Sequence, residues 1–182
     1  MPRTEPLPDL IPAWDNGTLV PVEKLAVHRR GLRHPAVSVF VMAGDRLLIQ
    51  QRAAGKYHTP GLWTNTCCTH PAWGEPARTC AVRRLREELG ITGLDPVLRD
   101  RVEYRADVGA GLTEHELVDI FVAEAPRDLP LSLNPAEVGA VRWMALDDLA
   151  EDARRNPAAY TPWVRIYLAD HLDRIFGRAL AG

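Results

Sequence analysis

The chain lacks what would commit it to a membrane, a disulfide scaffold or a nucleic acid. None of its apolar runs approaches the ~20 residues that a helical membrane span requires. Three cysteines, two of them adjacent at Cys67 and Cys68, make an odd and poorly spaced set for a disulfide framework. A reducing cytoplasm is therefore expected. The net charge is −2 and hides no block of like charge, so contact with nucleic acid or an anionic membrane is not expected. The opening MPRTEPLPDLIPAW has no basic region followed by an apolar core, and no secretory signal is expected from it. Repeats and low-complexity tracts are missing too.

What is present is the composition of an ordinary globular protein, 46% apolar and 25% charged over 182 residues. That length is enough to bury a substantial core, and residues 1–182 are read as one domain and a monomer. The first 27 residues are Pro-rich and are expected to pack on or near the core, with a strand or turn around NGTLVPVEKLAVH. AVSVFVMAGDRLLIQQR reads as a hairpin from Ala36 to Arg52 turning at Gly-Asp. The connection that follows, AAGKYHTPGLWTNTCCTHPAWGE, is too long for a minimal link, and loops of that length are often functional. A helix is expected from about Pro76 to Leu89, with proline at its first position and Gly90 at its exit. Further strands are expected at LRDRVEYRA, EHELVDIFVAEA and AVRWMAL. Two helices follow, at LDDLAEDARR and TPWVRIYLADHLDRIFGRAL. The mixture predicts an α/β chain with a mixed sheet between helices.

Around the helix after the loop, Ala77, Ala81, Leu85 and Leu89 form one apolar stripe flanked by Cys80 and Val82. Arg83, Arg86 and Glu87 point away from it. Arg84 and Glu88 fall inside it, four residues apart and so neighbours on the helix surface. They form either an ion pair at the edge of the core or a cation and a carboxylate aimed into a polar site. Buried charges need compensation, which favours the site. In LTEHELVDIF, alternation puts Glu114, Glu116 and Val118 on one face and His115 on the other. Two carboxylates about 7 Å apart on a strand face can converge on a metal or share acid–base work, although an isolated E-x-E is more often a solvated edge. His28, His34 and His70 each read, taken singly, as a satisfied surface or core histidine. His58 and His171 show no special context and are read as structural.

The pair Cys67–Cys68 invites several chemistries. Neighbouring side chains diverge along an extended loop, which disfavours a disulfide between them. No C-x2-C or second pair completes a zinc knuckle. An acyl-transfer nucleophile would need a base with a partner to orient it, and His70 has no evident one. Proton transfer remains, since a thiol with a pKa near 8.5 is largely protonated at neutral pH.

Glu75, Arg83, Leu85, Glu87, Glu88, Gly90 and Ile91 fall at the spacings of the Nudix box, G-x5-E-x7-R-E-U-x-E-E-x-G-U, which this segment resembles. Thr69 replaces the first glycine, and Arg84 replaces the carboxylate of the R-E pair. Nudix hydrolases gather carboxylates to hold metal ions and activate water. A guanidinium in that place removes a ligand and installs an anion clamp. Such a helix suits holding a diphosphate better than cutting one.

Together with LRHPAVSVFV, PGLWTNTCCTHP, EYRA, EHELVDIF and TPWVR, the altered box makes the chain similar to the type I isopentenyl-diphosphate isomerases from Lys24 to Trp163. The resemblance implies a Nudix-type α/β/α sandwich and a metal, Zn²⁺ or Mn²⁺, held by His28, His34, His70, Glu114 and Glu116. It also implies Mg²⁺ on the substrate diphosphate, through Glu88 and the main-chain carbonyl of Cys68. Lys24, Arg52, Lys56 and Arg84 match the diphosphate contacts. The implied reaction moves the double bond of isopentenyl diphosphate to give dimethylallyl diphosphate, with no redox cofactor. Cys68 and Glu116 would handle the protons, Tyr104 would hydrogen-bond Glu116, and Trp163 would lay its ring over the cationic carbon. Cys67 and Cys80 would pack. Two other readings stand beside this one: a metal-dependent diphosphate hydrolase, and a catalytically silent module that binds a diphosphate as a sensor.

Overall fold

The computed structural model describes residues 9–177. Residues 1–8, the start of the Pro-rich segment, and residues 178–182, the end of the last expected helix, lie outside the described residues. The chain enters through strands β1 (Leu10–Asp15) and β2 (Thr18–Glu23), paired antiparallel across Asn16–Gly17. Both turn residues have positive φ, 48° and 80°, the backbone for which Asn-Gly is chosen in two-residue hairpins. The next residues, expected as strand or turn, instead form helix α1 (Lys24–Arg30). The carboxylate of Glu23 accepts hydrogen bonds from the Leu25 and Ala26 amides at 2.9 and 2.8 Å, satisfying two otherwise unpaired donors. Arg29 and Arg30 stand in the last turn, where positive charge suits the helix dipole.

The expected hairpin is β3 (His34–Ala43) and β4 (Arg46–Arg52). It pairs only at its closed end, Met42 with Leu47 and Ala43 with Arg46. Beyond that the strands part, and the long loop fills the wedge. Its strand β5 (Trp63–Thr64) adds to β4, and β6 (Cys67–Thr69) adds to β3. Buried side chains between them replace the missing ladder. Thr66 Oγ1 accepts from the Val41 amide at 2.9 Å and donates to the Leu48 carbonyl at 2.6 Å. Asn65 Nδ2 donates to the carbonyls of Val39 and Cys67 at 3.0 and 3.1 Å.

Helix α2 (Ala77–Leu89) follows, then strands β7 (Val97–Gly109), β8 (Leu112–Glu124) and β9 (Val138–Ala145). The seven-stranded sheet runs β5-β4-β3-β8-β7, with β6 on β3 and β9 on β4. Strand β8 lies parallel to β3 and antiparallel to β7, so the sheet is mixed. Helices α3 (Leu146–Arg155), α4 (Pro162–Asp170) and α5 (Leu172–Phe176) close the described chain. The last two were expected as one helix; the backbone leaves helical geometry at His171 (φ −128°, ψ 6°).

Alternation along the strands makes two cores. Phe40, Met42, Leu47 and Ile49 pack with Leu149, Val164, Tyr167 and Ile175 of α3–α5 on one face. Val37, Val39, Val41 and Leu48 pack with Cys80, Ala81, Leu85 and Leu89 of α2 on the other. This is an α/β/α sandwich. Two details of α2 differ from expectation. Pro76 precedes the helix with extended backbone rather than opening it, and Val82 is 41% exposed. The buried stripe is rotated toward Cys80 and Glu88, because β6 and the polar cleft lie on that side. Arg83, expected to point to solvent, forks onto Glu75 at 2.6 and 2.8 Å.

Candidate active site

Strand register builds the centre of the site. His34, at the start of β3, stands opposite Glu116 of β8, which stands opposite Tyr104 of β7. Side chains on one face of neighbouring strands therefore meet in a row. Glu114, two residues earlier, points the same way, and both glutamates are buried. Helix α1 brings His28, the residue after β6 is His70, and their rings lie 5.1 Å apart.

One nitrogen from each of His28, His34 and His70 and one oxygen of Glu114 all fall within 4.8 Å of one another. Main-chain carbonyls set two of these rings. His28 Nδ1 donates to Lys24 O at 2.6 Å, and His34 Nδ1 donates to Leu32 O at 2.8 Å. Each ring thus turns an unprotonated Nε2 inward, the support that metal-binding histidines commonly receive. Glu114 Oε2 lies 3.1 and 3.3 Å from those nitrogens, yet it is buried and accepts no hydrogen bond among the described residues. An orphaned carboxylate oxygen facing bare imidazole nitrogens is what a cation would satisfy. This His/Glu group fits a divalent metal ion. Glu116 Oε1 stands at its edge, 2.9 Å from His70 Nε2 and 3.6 Å from His34 Nε2.

The charges confirm how strongly the group is polarised. Burial works against ionising Glu114, but the imidazoles packed around it outweigh that and hold its carboxyl well below the usual range. Tyr104 donates to Glu116 Oε2 at 2.5 Å; burial, then the adjacent carboxylates, push its hydroxyl well above the ordinary value.

Cys68 lines the same cleft as Glu114, Glu116 and His70. Its sulfur donates to Asn65 Oδ1 at 2.9 Å and sits 3.3 Å from Ser38 Oγ, which in turn lies 3.1 Å from the Tyr167 hydroxyl. Burial, with Glu116 adding to it, pushes the thiol up to about 12. Trp163, buried at the start of α4, donates its Nε1–H to Thr64 Oγ1 at 2.8 Å and presents its ring to the cleft. Cys67 and Cys80 are fully buried in the α2 core.

Lys24, Arg52, Lys56 and Arg84 line the same cleft. Burial, with Lys56 and Arg84 adding like charge, lowers the Lys24 ammonium below its ordinary value despite Asp9 nearby. Glu137 faces this cluster, 2.5 Å from Lys56 Nζ and 3.4 Å from Arg84 Nη2, and nothing in its local sequence marks it. Arg52 Cζ lies 5.4 Å from the centre of the Trp163 ring. Glu88 is buried, and the structure does not open it to the cleft. Its Oε1 accepts from Arg84 at 2.7 Å and its Oε2 from Gln50 at 3.0 Å.

One histidine read as structural is not peripheral. His58 is 5% exposed, lines the cleft, and its Nε2 lies 2.9 Å from Glu114 Oε1. The available signal was its place two residues after Lys56, inside the loop already marked as too long. His171 does lie elsewhere, 3.7 Å from Asp100.

A family model described as the NUDIX domain matches residues 32–164. Among solved structures, a MutT Nudix hydrolase from Burkholderia pseudomallei superposes with a TM-score of 0.60 at 26% identity, covering 76% of this chain and 98% of its own. A Deinococcus radiodurans protein with a TM-score of 0.69, at 15% identity over 92% of this chain and 98% of its own, shows the same fold. Among curated relatives, the isopentenyl-diphosphate Delta-isomerase of Cereibacter sphaeroides is 68% identical over 172 residues, 94% of this chain and 97% of that one. Its namesake in Dinoroseobacter shibae is 65% identical over 169 residues, 93% and 96% of the two chains. The chain belongs to the Nudix family and, within it, to the isopentenyl-diphosphate Delta-isomerases.

Proposed function

We infer that the chain interconverts isopentenyl diphosphate and dimethylallyl diphosphate, the activity its curated relatives are named for, and so serves isoprenoid biosynthesis. We read the whole chain as one catalytic unit and a monomer, in a reducing cytoplasm that keeps Cys68 a free thiol. The observation that carries the mechanism is a single cleft lined by a protonated sulfur, Cys68, and by an ionised carboxylate, Glu116, with four cations beside them.

The cations set the substrate's position. Lys24, Arg52, Lys56 and Arg84 take the diphosphate, Arg52 and Arg84 with bidentate geometry. That fixes the short branched alkene against the buried side chains of the thiol and the carboxylate. One proton adds at the terminal alkene carbon, leaving a tertiary cation at the neighbouring branched carbon. One proton then leaves C2 as the new double bond forms. Cys68 and Glu116 are the donor and acceptor, and they exchange roles when the reaction runs backward. Tyr104, hydrogen-bonded to Glu116 at 2.5 Å, keeps a second proton within reach of that carboxylate. The Trp163 ring face shelters the cation, an interaction worth ~2 kcal/mol when desolvated.

His28, His34, His70, Glu114 and Glu116 would hold Zn²⁺ or Mn²⁺, since a nitrogen-rich set with carboxylates suits these better than Ca²⁺. Such an ion supplies a fixed positive charge that tunes Glu116. Glu88 and the Cys68 carbonyl would hold Mg²⁺ with the diphosphate, a role for which both Arg84 and Gln50 would have to release the Glu88 carboxylate.

The test is isopentenyl diphosphate with Mg²⁺ and Mn²⁺ in D₂O. Deuterated dimethylallyl diphosphate without phosphate release is expected. Phosphate release in its place would select a hydrolase, and binding without turnover a silent module.

A further inference from the structure

Four imidazoles surround Glu114, and they do not all present the same thing to it. We propose that His58 is a positioning residue for the cation site, holding Glu114 Oε1 so that Oε2 alone faces His28, His34 and His70. The inference rests on reading those residues as the cation site.

The two oxygens of Glu114 have different surroundings. Oε1 lies 2.9 Å from His58 Nε2. Oε2 lies 3.1, 3.3 and 3.9 Å from the Nε2 atoms of His28, His34 and His70 and accepts no hydrogen bond among the described residues. A carboxylate rotates as a unit, so fixing one oxygen aims the other.

Hydrogen-bond chemistry separates His58 from His28 and His34. An ionised carboxylate only accepts, so His58 Nε2 carries the proton. Its Nδ1, 2.9 Å from Thr59 Oγ1, then accepts from that hydroxyl, and every polar atom of the neutral ring is satisfied. His28 and His34 are the reverse, with Nδ1–H given to main-chain carbonyls and Nε2 left bare.

The loop is shaped around this contact. Thr59 adopts φ +45°, a conformation β-branched residues rarely take. The His58 carbonyl accepts from Arg52 Nη2 at 3.1 Å. The ring meets Trp163 edge-on, centroids 5.8 Å apart and planes at 86°. The imidazole is therefore locked in its plane from three sides. Hydrogen bonds to ligating groups of this kind are worth roughly 10–100-fold in metal affinity when removed.

The experiment measures the Mn²⁺ and Zn²⁺ dissociation constants of the purified full chain by competition with a chelator. His58→Phe keeps a ring against Trp163 and removes the donor; His58→Gln keeps an N–H at similar reach and removes the ring. The phenylalanine variant is expected to bind about 10–100-fold more weakly and the glutamine variant within a few-fold of the parent. Unchanged affinity in the phenylalanine variant overturns the proposal, as does equal loss in both. Should the phenylalanine variant not fold, Thr59→Val, which removes the hydroxyl that fixes the ring, is expected to weaken binding several-fold, and no change there overturns it. A parent protein that binds neither ion would instead sink the cation-site reading itself.

Discussion

The sulfur of Cys68 has Asn65 Oδ1 at 2.9 Å, and that amide has no freedom to turn. Asn65 Nδ2 donates to two main-chain carbonyls inside the wedge between β3 and β4, so its oxygen must accept and the hydrogen stays on sulfur. Cys67, one peptide bond away, points into the α2 core with no exposure. Strand alternation alone sends the two thiols to opposite faces of the sheet. Cys68→Ala is expected to lower kcat by at least ~10³-fold, in the range that lost acid–base groups show. Cys67→Ala is expected to keep kcat within a few-fold and to lose ~1–2 kcal/mol of stability, as a small core truncation does. Rates of dimethylallyl diphosphate formation and denaturant midpoints check both. Inactivity of the Cys67 variant with Cys68→Ala still active would reverse the assignment.

At the scale of elements, helix α2 shows what local sequence can and cannot give. Its length, its glycine exit and its inward Arg84 and Glu88 were legible from spacing. Its rotation was not, because Val82 and Cys80 flank the stripe alike and only the neighbouring β6 decides which is buried. The same limit hid α1, whose cap is a glutamate rather than a usual capping residue. The ion pair before α2 was partly legible as the first glutamate of the box. Glu75 takes both forks of Arg83 and the Ala72 amide at 2.9 Å. Arg83 is the main cause that holds its carboxyl down at about 2 against a reference of 4.5. A depressed folded pKa stabilises fully above the unfolded value and is lost as pH falls from about 4.5 toward 2. Glu75→Gln is expected to cost about 1–2 kcal/mol at pH 7, discounted for the partly exposed arginine, and almost nothing near pH 2. Thermal unfolding of both proteins across that range checks it, and a pH-independent gap would refute it.

The whole molecule adds what no segment contains. His28, His34, His70 and Glu114 come from a helix, a sheet strand, a loop end and a second strand, and no pair of them stands at a metal-binding interval in sequence. The parallel register of β3 with β8, the pairing of β6 with β3, and the packing of Ile11, Ala13 and Val27 that docks the N-terminal hairpin and α1 bring them together. Resemblance named these residues; the fold supplies the physical reason they meet, gives Asn65 of the quoted loop motif a role, and adds His58 and Glu137, which neither spacing nor resemblance marked. A cation held there would bind the folded chain and not the unfolded one. At 100 times its dissociation constant it stabilises by about 2.7 kcal/mol, which for a chain of this size is about 5–10 °C in Tm. Saturating Mn²⁺ or Zn²⁺ is therefore expected to raise the Tm of chelator-stripped protein by that amount and to slow amide exchange in residues 24–30, since His28 sits on that helix. His34→Ala should abolish both effects, while Lys56→Ala, which is not among the residues that would hold the ion, should keep them. A Tm indifferent to chelation, or a shift that survives His34→Ala, would mean that the helix, the strands and the loop converge for a reason other than a cation.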